Sequence, residues 1–118
     1  MVATERVIHG YVHQSRIGVL VEFCAETDYA TRTTEFAELA RDIALHIAAS
    51  APASLEALLA QPFVRDPAMN VGQLLARASG TLRESIAIRR FVRWDTDTSP
   101  SPSLEPPNAP AVALRMGA

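Results

Sequence analysis

Few residues in this sequence could do chemistry: one cysteine, three histidines, a short acidic turn and a cluster of arginines. Cys24 could act as a nucleophile only with a histidine to take its proton and an Asn or Asp to orient that histidine. No signature around it supplies such a group, and it sits inside an apolar, strand-like run. His9 and His13 suggest a metal pair, but four residues along a strand separate them by about 13 Å, too far to share one ion without a fold-back. They read as surface residues, and no metal or cofactor is expected. His46 lies at the edge of a helical apolar stripe and reads as a packing residue with a satisfied nitrogen. Arg89, Arg90 and Arg93 could form an anion patch; a solvated strand face or an acidic partner surface fits them better.

What remains is the stretch Ile17-Gly18-Val19-Leu20-Val21-Glu22-Phe23-Cys24-Ala25-Glu26-Thr27-Asp28-Tyr29, where a β-type run stops at an acidic turn carrying one aromatic residue. The run reads as a buried strand delivering its last residues to a surface loop. Thr33-Thr34 then opens a helix in which Phe36, Leu39, Ile43 and Ile47 recur at helical spacing. A turn held between two core-packed elements can present a rigid, projecting side chain, so its chemistry is non-covalent contact with a partner.

The 118 residues make room for one domain, and 48% hydrophobic with 20% charged residues fits an ordinary globular protein. A small chain buries a smaller fraction of its surface than a large one, so pairing with another subunit or protein would add useful apolar burial. A formal charge of -2 argues against nucleic acid as a partner. A single cysteine rules out an intrachain disulfide, and no N-terminal hydrophobic leader or long apolar span is present. A reducing, cytoplasmic setting is expected.

Glu5 to His13 reads as a first strand, with Ile8 and Val12 on one face and Val7, His9, Tyr11 and His13 on the other. The link Gln14-Ser15-Arg16 leads into the central strand as a β-hairpin, although it lacks an Asn-Gly or Asp-Gly turn. On that strand Ile17, Val19, Val21 and Phe23 share a face, and Leu20 interrupts the polar one. The helix spans about Thr34 to Ala49, with Thr33 or Thr34 as N-cap and Glu35 in its first turn. Ser54 to Ala60 adds a short helix, and the two prolines make Gln61 to Pro67 extended. A second amphipathic helix runs from Val71 to about Glu84, with Asn70 and Gln73 in capping-box positions. From Ile86 to Trp94 the pattern is again strand: Ile86, Ile88, Val92 and Trp94 on one face, Arg89, Phe91 and Arg93 on the other, with Arg90 breaking the apolar face as a bulge or subunit contact would. Residues 95–118 are rich in Pro and Ser and are expected to form a disordered tail. The expected fold is α+β: a small three-stranded antiparallel sheet packed against two main helices, in one domain over residues 1–94.

Four stretches in this order resemble the elongation factor Ts family, the guanine-nucleotide exchange factors of elongation factor Tu. They are Val19-Leu20-Val21-Glu22 running into Glu26-Thr27-Asp28-Tyr29; Glu35-Phe36 through Leu39-Ala40-Arg41-Asp42-Ile43-Ala44-Leu45-His46-Ile47-Ala48-Ala49; Gln61-Pro62-Phe63-Val64 with Val71-Gly72-Gln73-Leu74-Leu75; and Ile86 through Arg89-Arg90-Phe91-Val92-Arg93. The resemblance covers roughly Glu5 to Trp94, the family's core or dimerisation domain. It implies that Thr27, Asp28 and Tyr29 meet GDP-bound elongation factor Tu, with Asp28 as polar contact and Tyr29 as a wedge that disturbs the magnesium and phosphate site. It also implies a homodimer formed through the sheet. An exchange factor needs no nucleotide pocket of its own, in keeping with the lack of a Gly-rich phosphate motif.

The departures from the family pattern carry their own expectations. Tyr29 stands where Phe is usual, so its hydroxyl needs a partner or a place at the rim. Cys24-Ala25 replaces an Asn-Cys pair, and Arg83 takes the position of a helix-ending Gly. The family's N-terminal helical module is expected to be missing, and its long helical insertion before Gln61 to be reduced to about a dozen residues. The alternative function is therefore a dimerisation or scaffold module of the same fold without exchange activity.

Overall fold

The computed structural model describes residues 5–97. Strands β1 (Glu5–His13) and β2 (Ile17–Ala25) pair antiparallel from Glu5↔Ala25 to His13↔Ile17, as the hairpin expectation required. Their turn forms without glycine: Gln14 and Ser15 take φ of 51° and 61°, and the Arg16 N–H donates to the His13 carbonyl at 2.9 Å. Both central residues of a type I′ hairpin turn need this left-handed region, which Gln14 and Ser15 adopt here in place of the usual Asn-Gly or Asp-Gly.

Beyond β2 come α1 (Asp28–Thr31), α2 (Thr34–Ser50), α3 (Leu55–Ala60), β3 (Pro62–Phe63), β4 (Asp66–Asn70), α4 (Val71–Leu82) and β5 (Ala87–Asp95). The main sheet has the order β1-β2-β5, all antiparallel, so β2 is central. Helix α2 lies across β1 and β2, and α4 packs beside α2 and α3. This is the α+β architecture read from the sequence. The extended segment after Gln61 folds back on itself, with β3 paired to β4, a hairpin that the prolines had concealed.

The helices begin where their caps say. Thr33 Oγ1 accepts from the Phe36 N–H at 3.1 Å, and Ser54 Oγ accepts from Ala57 at 3.0 Å. Asn70 and Gln73 form a reciprocal capping box with bonds of 2.7 and 2.8 Å. Val19, Val21 and Phe23 of β2 are buried against Phe36, Leu39, Ile43 and Ile47 of α2. The Phe23 and Phe36 rings meet edge to face at 5.3 Å.

Strand β5 corrects one sequence expectation. Phe23 pairs with Ile88 but Glu22 pairs with Arg90, so Arg89 is an extra residue opposite β2. This bulge inverts the side-chain alternation. Ile86 and Ile88 point into the core, as does Phe91 beyond the bulge, whereas Val92 and Trp94 share the opposite face with Leu20. Ile88 therefore does not share a face with Val92 and Trp94. The strand also continues through Asp95, and the Thr96 N–H donates to the Arg16 carbonyl at 3.0 Å. Asp95, expected in the tail, thus belongs to the sheet and residues 96–97 form a turn after it; residues 98–118 lie outside the described residues.

The sheet face away from α2 exposes a cluster of apolar side chains. Across its strands run the rows Val12–Gly18–Trp94, Gly10–Leu20–Val92 and Ile8–Glu22–Arg90. Ile8, Val12, Leu20 and Trp94 are each more than half exposed, at 61%, 68%, 52% and 64%.

Helix α4 ends at Arg83, with φ 58° and ψ 35° and its N–H donating to the Ser79 carbonyl. The left-handed conformation costs a non-glycine residue about 1–2 kcal/mol. Arg83→Gly should therefore raise stability by about 0.5–1 kcal/mol after glycine's extra unfolded-state entropy is subtracted. The check is a higher urea midpoint at an unchanged m-value; a lower midpoint would show that the arginine side chain contributes more than its backbone costs.

Candidate functional site

The acidic turn is helical. Thr27, with φ -137° and ψ 161°, is the N-cap of α1, and Asp28 and Tyr29 are its first two residues. The loop expected at Asp28 and Tyr29 is thus a single helical turn, because Ala30 is buried in the core and pulls the chain inward there. Successive helical side chains are about 100° apart, so burying Ala30 turns Tyr29 outward. Tyr29 is 77% exposed, the most exposed large apolar side chain among the described residues. Thr33 closes the turn, its Oγ1 donating to the Ala30 carbonyl at 2.7 Å and its N–H to the same oxygen at 3.2 Å.

The Asp28 carboxylate pairs with Arg32 Nη2 at 3.1 Å, one turn along the chain. Both groups are exposed, and such a pair contributes about 0–1 kcal/mol, so Asp28 is easily redirected to another donor. The structure therefore brings together a projecting aromatic and a weakly held carboxylate. Thr27 faces the other way: its hydroxyl donates to Glu84 Oε2, and its N–H donates to Glu84 Oε1 at 3.0 Å. Glu84 was not legible as a site residue, since it reaches this turn from 57 residues away in the chain.

The other chemically able residues have structural roles. His46 is fully buried; its Nδ1 accepts from the Val64 N–H at 3.2 Å and its Nε2 lies 2.8 Å from Gln61 Oε1. An acceptor at Nδ1 assigns the proton to Nε2, so both ring nitrogens are satisfied in the neutral form. His46 ties α2 to the β3 segment, and its ring also meets Phe63 at 6.0 Å. His13 Nδ1 is 2.8 Å from the Tyr11 hydroxyl. Burial, helped by Arg41, lowers the pKa of His9. Cys24 is buried in β2. Among the described residues no cluster of His, Cys, Asp and Glu could hold a metal ion.

The three arginines serve two purposes. Arg90 Nε donates to Glu22 Oε1 at 2.5 Å, and Arg89 approaches the same oxygen at 3.8 Å. Arg93 clasps the Ala48 carbonyl at 3.2 and 3.0 Å, satisfying an acceptor in the last turn of α2. Glu22 is nearly buried, and the hydrogen bond from Arg90 holds its carboxyl below the usual glutamate range against the opposing pull of burial, with Arg90, Arg89 and Arg6 adding charge. The Thr27 hydroxyl lowers Glu84 in the same way, joined by the Thr27 and Glu26 backbone N–H groups.

These shifts fix the sign of an acid response. Each folded-state value lies below the unfolded one, so the unfolded state binds more protons between them and stability falls as pH drops. The contribution is complete above the ordinary glutamate value of about 4.3 and is lost as pH passes through the depressed folded values. The urea midpoint of a Glu22→Gln, Glu84→Gln variant should decline less steeply below that value than the native midpoint does. Parallel declines would show that neither carboxylate is linked to folding.

The family model described as "Elongation factor TS" matches residues 1–57. The chain is 31% identical to a protein named Elongation factor Ts from Alkaliphilus oremlandii over 139 aligned positions, which cover 80% of this chain and 64% of the relative. It is 35% identical to the Elongation factor Ts of Rubrobacter xylanophilus, covering 75% of this chain and 69% of the relative. With that of Coprothermobacter proteolyticus the identity is 30%, covering 78% and 70%. The chain thus spans just under two thirds of the Alkaliphilus relative. Alignments longer than the 118-residue chain also mean that these relatives carry residues with no counterpart in the aligned part.

Proposed function

The chain belongs to the elongation factor Ts family, and on that premise we propose that it promotes GDP release from elongation factor Tu without chemistry of its own. The observation that carries the reading is the exposed Tyr29, set beside Asp28 on a helical turn whose next residue, Ala30, is anchored in the core. A rigid aromatic entering a partner pocket is a typical interface hot spot. Asp28 supplies the polar contact near the partner's magnesium and phosphate groups. Release follows from linkage: if the chain binds the nucleotide-free partner more tightly than the GDP-bound one, GDP is bound less tightly in the complex by the same factor. No bond is made or broken, and no cofactor is needed. The cytoplasm, where translation proceeds, is the proposed setting; no helix among the described residues is long and apolar enough to cross a membrane.

Binding tests this directly. Calorimetry with GDP-loaded elongation factor Tu should show saturable complex formation, and no heat of binding at high micromolar concentrations would overturn the reading.

The open sheet face supports a second contact, with another copy of this chain. Four large apolar side chains on one small face exceed what scattered surface residues explain. The one acidic residue in these three rows, Glu22, is paired with Arg90, and the exposed Arg6 lies one row further along, so two such faces can meet over their apolar rows. Sheets packed face to face lie about 10 Å apart, and Gly18, with nothing near its missing Cβ, leaves space between Val12 and Trp94 for a side chain from the other copy.

A further inference from the structure

We propose that Glu84, together with Glu26, is a positioning residue that clamps the Thr27-Asp28-Tyr29 turn in its working geometry, an inference that rests on the exchange function proposed above. Helix α1 has four residues, too few to hold a helical conformation unaided. The clamp is built from both sides. Glu84 Oε1 accepts from the Glu26 N–H at 3.1 Å and the Thr27 N–H at 3.0 Å, while its Oε2 accepts from the Thr27 hydroxyl. In return the Ser85 N–H donates to Glu26 Oε2 at 2.6 Å. Bonds to carboxylates are roughly twice as strong as bonds between neutral groups, and these join segments 57 to 59 residues apart.

The base of the clamp is itself fixed. The Glu84 N–H donates to the Ser79 carbonyl at 3.2 Å, and the Ile86 N–H donates to Ser79 Oγ at 3.0 Å. Ile86 is buried in the core. Glu84 therefore transfers the position of the α4 end and the β5 start to the entrance of α1. Ala30 anchors the turn from the core side, so Tyr29 projects from a turn held at both ends. Thr27 changes role as a result: its N–H and hydroxyl point into the clamp, which makes it a positioning residue, while Asp28 and Tyr29 remain the groups offered to a partner.

Loosening the turn lowers the fraction of chains ready to bind, which raises the apparent dissociation constant by the inverse of that fraction while leaving the bound complex alone. The test measures amide hydrogen exchange and stimulated GDP release for the full chain and for Glu84→Ala, Glu84→Gln, Thr27→Val and Thr27→Ser. In Glu84→Ala the Glu26 and Thr27 amides should exchange at least about tenfold faster, with the amides of β2 and α2 unchanged. The chain concentration giving half-maximal GDP release should rise by about tenfold, with the plateau rate kept within about twofold. Glu84→Gln should fall between Glu84→Ala and native, and Thr27→Ser should restore what Thr27→Val loses. A general loss of stability would instead speed exchange in β2 and α2 as well. Unchanged Glu26 and Thr27 amides would overturn the clamp; freed amides with both kinetic constants unchanged would overturn its positioning role. If the native chain stimulates no release, the exchange reading fails and the positioning role with it, while the amides still report whether the clamp exists.

Discussion

Tyr29→Ala is expected to lower stimulated GDP release from elongation factor Tu by roughly 30-fold or more, because truncating a central aromatic anchor typically costs at least about 2 kcal/mol of partner binding. The same change should leave the fold intact. Tyr29 is 77% exposed, so its removal should shift stability by no more than about 0.5 kcal/mol. Release kinetics with a fluorescent GDP and a urea titration of the same variant separate the two effects. Tyr29→Phe adds information about the hydroxyl. A buried, unpaired hydroxyl costs about 1–3 kcal/mol, so if the partner pocket lacks a hydrogen-bond partner the Phe variant should release GDP faster than native. An unfolded Tyr29→Ala protein would place the ring in the core, and an unchanged release rate would remove it from the contact.

The second large effect is expected on the open sheet face. Leu20 occupies the middle row, flanked by Gly10 and Val92, with Ile8, Val12 and Trp94 in the rows on either side. In a symmetric pair of sheets the two Leu20 side chains lie near the twofold axis, so Leu20→Asp would bury two like charges close together. Truncation or charge at such a centre costs several kcal/mol, enough to raise the dimer dissociation constant by about a hundredfold or more. Sedimentation at micromolar concentrations should show a native dimer and a monomeric variant with the same far-ultraviolet circular dichroism. A native chain that stays monomeric at high micromolar concentrations would contradict the paired-sheet arrangement.

The parts of the structure legible in the sequence are those fixed by local periodicity. The Val19, Val21 and Phe23 alternation and the Phe36, Leu39, Ile43 and Ile47 stripe each identify a buried face without knowledge of the partner element, and the Asn70–Gln73 box marks the start of α4 within four residues. The rest depends on pairing between distant segments. One extra residue, Arg89, inverts the faces of the second half of β5, and only its register against Glu22 and Phe23 reveals it. The helical nature of the Asp28-Tyr29 turn follows from where Ala30 packs, and an alanine carries no such signal in a sequence. Glu84 was invisible for the same reason: a glutamate after a helix is ordinary, and its three acceptor contacts exist only once β2 and β5 have paired. Asp28 and Tyr29 are candidates through resemblance alone, whereas the Glu84 and Ala30 contacts around them had no signal in the sequence.

This chain spans 64% of the length of its Alkaliphilus relative, and its proposed action on elongation factor Tu runs through the Tyr29 turn. The most direct measurement is the release rate of fluorescent GDP from elongation factor Tu as the chain is titrated at constant magnesium. The expected result is acceleration that saturates with chain concentration and that Tyr29→Ala largely removes. A release rate that stays at its intrinsic value while the chain forms a stable dimer would contradict the exchange function and leave a dimerisation or scaffold module in its place.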